Sequence, residues 1–287
     1  MSAPAILITG ASSGIGLASA IRLRAAGWQV IATVRDSTSA DVLTAHGIEP
    51  VLLDLSSPSD AERAARELVA KHPRLDAVFL NAGYAAAGAI EDLGVETWHR
   101  QFQVNVFGHL QVLQVLLRED VLGSGARVVW CSSVLAIAGM PMRGAYSASK
   151  AAIESIADVQ RLELAHRGIA VSILQPGPII TKFRSNSLAS LRATVDVSAS
   201  RYARAYEATI RRLAKPGAVS PGTLPPEAVA ETLLTCLAAR QPRPRYAITR
   251  NTKLMFWLSR LLSSNKLDFV LRRAAGEEVL PVPADTR

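Results

Sequence analysis

Two side chains capable of acid–base chemistry stand four residues apart in the stretch "YSASK": Tyr146 and Lys150. On a helix this spacing places both on one face. A tyrosine, with an ordinary pKa of about 10, exchanges protons poorly at neutral pH, and lowering that pKa by about two units requires roughly 2.7 kcal/mol from a nearby cation such as an ammonium. Ser133 closes an apolar run upstream, where its hydroxyl can polarise the carbonyl oxygen that Tyr146 protonates. These three residues predict proton transfer to and from a carbonyl oxygen.

Three glycines lie near the start of the chain, in the stretch "TGASSGIG" from Thr9 to Gly16. The apolar run Ala5–Ile8 before them predicts a buried strand, and the apolar residues after Gly16 recur at helical spacing. A strand, a glycine-rich turn and a helix in this order direct free backbone N–H groups at an anion, and glycine permits close approach of a pyrophosphate. The stretch predicts a dinucleotide site, with an ordinary tight turn as the alternative. The Gly-Lys-Ser/Thr ending of a P-loop is absent from it.

The composition favours a globular enzyme: 287 residues, 49% hydrophobic and 20% charged. The first residues lack a basic region and no apolar run approaches the length of a membrane span, so we expect neither a signal peptide nor a transmembrane helix. The two cysteines, Cys131 and Cys236, predict no disulfide framework and favour the cytoplasm. The five histidines are scattered, and we expect no metal site.

Strand-like and helix-like segments alternate along most of the chain, which predicts an α/β fold with a doubly wound, Rossmann-type parallel sheet and helices on both faces. Amphipathic helices are expected at Asp60–Lys71, Trp98–Leu117 and Pro225–Ala239. Ligands of such sheets bind beyond the carboxyl ends of the strands. The predicted strands are Ala5–Ile8, Trp28–Arg35, Ile48–Leu55, Leu75–Gly83, Ala126–Ser133, Ile169–Gly177 and Arg245–Thr249.

The regular alternation of strand-like and helix-like segments ends after Pro178. Residues 179–222 exceed an ordinary connection, yet their apolar residues keep helical spacing, which predicts a helical substrate lid. The segment at about 250–287 is both apolar and basic, and the net charge of the chain is +8. Such a segment can face solvent, contact a membrane peripherally or contact a partner; we expect no nucleic-acid partner. No linker is evident, so residues 1–287 are interpreted as one domain.

Taken in order, the motifs resemble the short-chain dehydrogenase/reductase family in its single-domain branch, over roughly residues 5–250. In detail the chain is similar to hydroxysteroid and retinol dehydrogenases. The matching motifs are "TGASSGIG" (Thr9–Gly16), "DL" (Asp54–Leu55), "NAG" (Asn81–Gly83), "VNVFG" (Val104–Gly108), Ser133, "YSASK" (Tyr146–Lys150) and "QPGPIITKF" (Gln175–Phe183).

The resemblance implies a role for each catalytic position. Tyr146 would be the general acid in carbonyl reduction and the base in alcohol oxidation, and Ser133 would hold the substrate oxygen. Lys150 would lower the Tyr146 pKa and bind the nicotinamide ribose. Asn105 would fix a water behind Lys150, with a helix-surface amide as the alternative. A homodimer or homotetramer is also implied.

The resemblance also implies how the dinucleotide is bound, with Asp54 and Leu55 at the adenine and Asn81 mainly holding the fourth strand. Arg35 aligns with the position that binds a 2′-phosphate, whereas Asp36, if the second strand ran one residue longer, would instead take the acidic role at the ribose. We therefore expect NADP(H), with NAD(H) as the alternative. The expected cofactor residues are Gly10, Ser12, Ser13, Gly14, Ile15, Gly16, Arg35, Asp54, Leu55, Asn81, Ala82, Gly83, Tyr146, Lys150, Pro176, Gly177, Ile179 and Thr181.

The candidate substrate wall is apolar and adaptable, which favours a steroid-, retinoid- or lipid-like ketone, aldehyde or alcohol. Each member alone can equally be core packing. A second function remains open, a catalytically silent NADP(H)-binding regulator, although its expected mark, a broken Ser–Tyr–Lys set, is missing. The wall comprises Val134, Leu135, Met140, Met142 and Phe183, together with Ile179, Ile180 and the lid residues Tyr202 and Tyr206.

Overall fold

A seven-stranded, wholly parallel sheet forms the centre of the computed structural model, which describes residues 3–218 and 220–281. The strand order is β3-β2-β1-β4-β5-β6-β7. The order reverses direction between β1 and β4, which creates the crevice where ligands of doubly wound sheets bind. The strands are β1 (Ala5–Ile8), β2 (Gln29–Val34), β3 (Glu49–Leu52), β4 (Leu75–Leu80), β5 (Leu122–Cys131), β6 (Ala170–Gln175) and β7 (Arg245–Ala247).

Helices cover both faces of the sheet. On one face α3, α5 and α6 pack on the apolar side chains of the strands, and on the other face α1, α2 and α9 do so. The predicted α/β architecture, with its helices on both faces, is confirmed. The helices are α1 (Gly14–Ala25), α2 (Ser37–Ala45), α3 (Pro58–Lys71), α4 (Val95–Phe102), α5 (Gly108–Arg118), α6 (Gly144–Glu163), α7 (Phe183–Thr194), α8 (Ala203–Ala214), α9 (Glu227–Ala238), α10 (Arg250–Leu261) and α11 (Ser264–Ala275).

The predicted helix Trp98–Leu117 is not continuous. A π-helical turn, Gln103–Phe107, separates α4 from α5, and the N–H of Gly108 bonds to the carbonyl of Gln103. A Cβ at Gly108 would lie 2.8 Å from the carbonyl oxygen of Leu55, so the helix passes close to the loop after β3. π-Turns are frequent at functional sites. This one contains Asn105.

The segment 179–222 contains two helices, α7 and α8, and Val219 within it lies outside the described residues. Both helices contribute to a third apolar cluster with the loop after β4 and with Met142, and Tyr206 lies fully buried at its centre. The hydroxyl of Tyr206 accepts from the N–H of Ala89 at 2.9 Å and donates to the Asp92 carboxylate at 2.8 Å. These bonds anchor α8 on the core.

Two helices, α10 and α11, follow β7, and the expected apolar and basic segment of about 250–287 is described as far as residue 281. Within residues 3–218 and 220–281, no helix is long and apolar enough to cross a membrane. In the same part of the chain, no group of three or more His, Cys, Asp or Glu side chains is placed to hold a metal ion.

Candidate active site

The glycine-rich stretch forms a close turn between β1 and α1. Gly10 has φ +71°, and a Cβ there would lie 2.7 Å from Ala82. A Cβ at Gly16 would lie 2.0 Å from the carbonyl oxygen of Gly10 and 2.8 Å from the amide nitrogen of Asn81. Side chains at these positions would push the turn away from the end of β4. The glycines therefore keep the backbone at the crevice.

The N-terminus of α1 is free to bind an anion. Ser13 is the N-cap residue, its side chain makes no capping hydrogen bond, and the first turn carries no acidic residue. Unpaired N–H groups and the helix dipole favour negative charge at such an end. These features fit the diphosphate of a dinucleotide, which Ser12, Gly14 and Ile15 would also border.

Asn81 ties the end of β4 to the end of β1. Its amide nitrogen donates to the carbonyl oxygens of Thr9 at 3.0 Å and Gly10 at 3.1 Å. The Thr9 hydroxyl accepts from the backbone N–H groups of Asn81 at 2.8 Å and Ala82 at 3.1 Å. The amide of Asn81 is thus used in holding the cradle together.

Arg35 and Asp36 follow β2, and the structure gives the two side chains different surroundings. Asp36 caps α2: its carboxylate accepts from the N–H of Ser39 at 2.8 Å and from the Ser39 hydroxyl at 3.1 Å. These hydrogen bonds lower the pKa of Asp36. Arg35 is exposed at the crevice end of the strand. The Asp36 carboxylate, which could otherwise bind a ribose hydroxyl, is therefore engaged in capping α2.

Asp54 and Leu55 follow β3 with opposite exposure. Asp54 is exposed and accepts from the N–H of Ser56 at 2.9 Å. Leu55 is 4% exposed and belongs to the core beneath α5. Asp54 is therefore accessible to an adenine at the expected pocket, whereas little of the Leu55 side chain is accessible.

Ser133, Tyr146 and Lys150 converge at the carboxyl end of β5. Ser133 follows this strand and is 7% exposed, and its hydroxyl accepts from the N–H of Leu135 at 3.2 Å. Tyr146 and Lys150 lie one turn apart on α6, and the Lys150 ammonium is 5.8 Å from the centre of the Tyr146 ring. The predicted clustering of the three side chains is present.

The pKa of Tyr146 departs from the sequence expectation. Burial raises the pKa of Tyr146, and the nearby Ser133 hydroxyl lowers it by less. The Lys150 ammonium, whose own pKa is lowered by burial, donates to the carbonyl oxygen of Cys131 at 2.7 Å rather than to the phenol. Burial thus opposes ionisation of the Tyr146 phenol, whereas the sequence predicts a pKa lowered by the lysine.

Comparison with known proteins decides the family, because residues 4–191 match the family model described as short chain dehydrogenase. The chain belongs to this family. It is 35% identical over 268 residues to the uncharacterized oxidoreductase YbbO of Escherichia coli (strain K12), covering 93% of each chain. It is 32% identical over 264 residues to human 17-beta-hydroxysteroid dehydrogenase type 1, covering 87% of this chain and 78% of that protein. A short-chain dehydrogenase structure from Streptomyces avermitilis is 26% identical, with a TM-score of 0.71, covering 96% of this chain and 94% of that one.

In this short-chain dehydrogenase Asn105 is fully buried, not a helix-surface amide. Its side-chain oxygen accepts from the N–H of Tyr84 at 3.1 Å, and its nitrogen donates to the carbonyl oxygen of Tyr84 at 3.1 Å and the hydroxyl of Ser149 at 3.0 Å. Ser149 immediately precedes Lys150. Asn105 thus connects the π-turn and the loop after β4 to the catalytic helix.

His109, which the sequence interpretation counted only as a scattered histidine, joins this network. One ring nitrogen, Nδ1, lies 3.0 Å from the carbonyl oxygen of Asn105, and the other, Nε2, lies 3.0 Å from the hydroxyl of Thr9. A carbonyl can only accept, so Nδ1 carries the proton and Nε2 accepts from Thr9. Burial lowers the His109 pKa to about 4, which keeps the ring neutral. Its position four residues after Asn105 on an otherwise apolar helix face was the available sequence signal.

The candidate residues after β6 contact the segment after Ser133 and the glycine turn. The carbonyl of Pro176 accepts from the N–H of Val134 at 2.9 Å, and the methyl group of Thr181 would lie 3.0 Å from a Cβ at Gly14. A Cβ at Gly177 would lie 2.1 Å from the Thr249 hydroxyl, so only glycine fits there. These contacts bring the predicted nicotinamide side of the site against the glycine turn.

The predicted substrate wall divides into accessible and buried residues. Val134, Leu135, Met140, Ile179 and Phe183 are half-buried, and Ile180 is exposed. The ring of Phe183 meets the Tyr146 ring edge-on at 5.4 Å between centroids. Met142 and Tyr206 differ: they are 5% and 0% exposed and pack in the cluster between α8 and the loop after β4. Their placement on the wall is corrected to core packing.

Proposed function

We propose that this short-chain dehydrogenase is an NADP(H)-dependent oxidoreductase that interconverts a hydrophobic ketone or aldehyde and its alcohol. The observation that carries the proposal is the placement of three buried side chains: Ser133 directly after β5, and Tyr146 and Lys150 one turn apart on α6, with the Lys150 ammonium 5.8 Å from the centre of the Tyr146 ring. A phenol and a hydroxyl that meet where a strand ends can both donate to one oxygen. This arrangement suits a carbonyl that gains negative charge as it is reduced.

Tyr146 supplies the proton in the reducing direction. Burial holds its pKa above the ordinary value, so the phenol is protonated at neutral pH and can donate to the substrate oxygen. Ser133 donates a second hydrogen bond to that oxygen and stabilises its developing charge. In the oxidising direction the phenol must first lose its proton, which the raised pKa opposes.

Lys150 and Asn105 position the proton donor. The Lys150 ammonium holds α6 against the carbonyl end of β5, and Asn105 holds the turn of α6 that contains Ser149. Both side chains are buried, which shields their hydrogen bonds from water. We propose that Lys150 also binds the nicotinamide ribose and that the π-turn borders the proton path behind it.

The residues around the crevice fit NADP(H) better than NAD(H). Asp36 is used as a helix cap, and the exposed guanidinium of Arg35 can pair with a 2′-phosphate. Ser13, Gly14 and Ile15 at the start of α1 would hold the diphosphate, with Asp54 and the Asn81–Gly83 turn at the adenosine. Pro176, Gly177, Ile179 and Thr181 would flank the nicotinamide. When NADP(H) is bound, its nicotinamide exchanges a hydride with the substrate carbon.

The substrate class follows from the walls around Tyr146. Val134, Leu135, Met140 and Phe183 are apolar and partly accessible, and they suit a steroid-, retinoid- or lipid-like carbonyl. A relative that carries 17-beta-hydroxysteroid dehydrogenase in its name is consistent with this class. We propose that α7 and α8 form a lid over the substrate within a single domain.

Location and assembly are part of the same proposal. Both cysteines, Cys131 and Cys236, are free and buried, which agrees with a reducing cytoplasm. The expected homodimer or homotetramer rests on the family resemblance alone. Sedimentation velocity of the purified protein measures that state directly.

The reaction is tested by consumption of NADPH and NADH with a panel of hydrophobic ketones and aldehydes. Tyr146→Phe is the test variant, and Tyr246→Phe on the edge strand β7 is the control. We expect turnover with NADPH that is lost in Tyr146→Phe and kept in the control. Verified NADPH binding without any turnover would instead favour the silent regulator, and equal turnover in Tyr146→Phe would overturn the catalytic assignment.

A further inference from the structure

The helix α10 presents an apolar stripe to solvent. Leu254, Trp257 and Leu261 are 59%, 59% and 76% exposed, and their spacing places them along one side of the helix. Large apolar side chains that cluster in this way mark interaction surfaces rather than ordinary exposed residues. We call these three residues the α10 stripe.

Basic residues surround the α10 stripe. Lys253 and Arg260 lie beside it on the exposed side of the helix, and the Arg260 guanidinium stacks 3.9 Å from the centre of the Phe256 ring. On α11, Phe269 is 65% exposed between Lys266 and Arg273, each within one turn. From Arg250 to Ala275 the basic residues are Arg250, Lys253, Arg260, Lys266, Arg272 and Arg273, and the single acidic residue is Asp268.

The opposite side of α10 faces the active site. Thr252 is fully buried and α10 packs against the short helical turn Val134–Ala136, directly after Ser133. Thr249 caps the helix by accepting from the N–H of Thr252 at 3.2 Å. The α10 stripe is therefore carried on a helix whose inner side borders the candidate substrate wall.

We propose that the α10 stripe docks the protein onto an anionic lipid bilayer. A helix with Trp and Leu along one side and Lys and Arg beside them lies in the plane of a membrane interface, where apolar residues insert and basic residues meet lipid phosphates. Docking would place the Val134–Ala136 turn close to the lipid surface. Such docking requires no step of the proposed reaction.

A second copy of this chain is the less suitable occupant, because of charge. A twofold interface pairs the same surface patch of both copies. The basic patch that contains Lys253 and Arg260 would then face a second basic patch, and like charges at an interface are repulsive. Anionic lipid headgroups neutralise the same residues.

Co-sedimentation with vesicles tests the proposal on the full chain. Vesicles of phosphatidylcholine with 30% phosphatidylglycerol are compared with phosphatidylcholine alone, at low and high salt. We expect the protein to pellet with the anionic vesicles at low salt, at least tenfold more than with neutral ones, and to release at high salt. Fluorescence of Trp257 should shift to shorter wavelength on binding, and the shift should vanish in Trp257→Phe.

A pair of leucines provides the matched control. Leu261 on α10 and Leu162 on α6 are equally exposed, at 76% each. We expect Leu261→Ser to weaken vesicle binding several-fold, whereas Leu162→Ser leaves it unchanged. Failure of the wild-type protein to bind anionic vesicles at low salt overturns the proposal. So does dissociation of a homo-oligomer by Leu261→Ser without any loss of lipid binding, which assigns the stripe to a second copy.

Discussion

The Lys150 ammonium donates a 2.7 Å hydrogen bond to the carbonyl oxygen of Cys131 and so joins the catalytic helix to the strand that ends at Ser133. Both residues are buried. The bond is charge-assisted, and removing the lysine leaves a buried carbonyl without this partner. Lys150 therefore fastens α6, which carries Tyr146, to the strand that leads to Ser133.

Replacing Lys150 by methionine should lower kcat/KM by at least 100-fold, because the phenol loses its alignment and the nicotinamide ribose loses its expected partner. Lys150→Arg should recover part of the loss, since the positive charge is kept. Steady-state kinetics with thermal unfolding checks this, with the exposed Lys71→Met as control. Wild-type kcat/KM in a folded Lys150→Met protein contradicts the assigned role.

Cofactor choice should depend on Arg35 and not on Asp36. Arg35→Ala should raise KM for NADPH by about 10- to 100-fold, because hydrogen bonds to charged groups contribute roughly 1.5–3 kcal/mol, and should leave KM for NADH unchanged. Asp36→Asn keeps a good N-cap and should change neither constant. A rise in KM for NADH in Asp36→Asn would show that the carboxylate serves the ribose instead. Arg74→Ala, at a distant exposed site, is the control.

The two reaction directions should differ in their pH dependence. The raised pKa of Tyr146 keeps the phenol protonated between about pH 6 and 9, so kcat/KM for carbonyl reduction should stay flat. Alcohol oxidation needs the phenolate, whose fraction below the pKa rises tenfold per pH unit. Its log kcat/KM should therefore climb with a slope near one. A plateau in the oxidation profile already at pH 7 would mean that the Tyr146 pKa is lowered in the working enzyme.

Glu278 should control the lid from the C-terminal end of the described chain. It is 6% exposed and pairs with Arg143, immediately before α6, and with Arg212 on α8, at 2.5 Å each. Burial and the neighbouring Arg212 lower the Arg143 pKa to about 10, which leaves it charged at neutral pH. Glu278→Gln leaves the mostly buried Arg143 and the partly exposed Arg212 without their shared carboxylate and should cost about 3 kcal/mol of unfolding free energy, the lower end for a broken buried pair.

Glu278→Gln should also raise KM for the carbonyl substrate several-fold, because α8 loses a partner and becomes less firmly packed. The Kd for NADPH should not change, because the glycine turn is not affected. Glu277→Gln is the control, since Glu277 pairs with Arg211 on the surface. Equal effects of the two substitutions would refute a special role for the buried carboxylate. Urea unfolding and substrate titration provide both readouts.

His109 should make the folded state sensitive to acid. Its pKa is about 4 in the folded protein against an ordinary value of about 6.5, so between these values the unfolded chain binds the extra proton. Stability should therefore fall, as pH is lowered from about 6.5 to 4, by roughly 1.4 kcal/mol per unit from this residue. His109→Asn should flatten the curve, and the exposed His99→Asn should not. Parallel curves for the wild type and His109→Asn would contradict this account.

Much of the fold could be predicted because local sequence patterns indicate its strands, turns and helices. Continuous apolar runs in the strands, glycines at the turns and amphipathic spacing in the helices are each properties of a short window of sequence. The parallel order then follows from the alternation of strand and helix. Ser133, Tyr146 and Lys150 could be grouped for the same reason, since a strand end and one helix face bring them together.

Other features depend on contacts between distant segments, which no local pattern encodes. His109 and Thr9 are 100 residues apart in the chain and meet only through the sheet. The π-turn ends at Gly108, which lies close to Leu55, a residue more than fifty positions earlier in the chain. Asp36 could not be assigned from position alone, because its competing partner is the Ser39 N–H of its own helix. The burial of Met142 follows from the packing of α8, whose position the sequence does not reveal.

The most direct test is to follow the transferred hydride with a deuterium label. Wild-type protein and Tyr146→Phe are incubated with the best carbonyl substrate and with NADPH deuterated at either position of nicotinamide C4, and the product is analysed by mass spectrometry. The account predicts one deuterium on the carbinol carbon from one of the two forms, and at least a 100-fold slower transfer in Tyr146→Phe. Product without deuterium from either form, or equal rates in the two proteins, would contradict it.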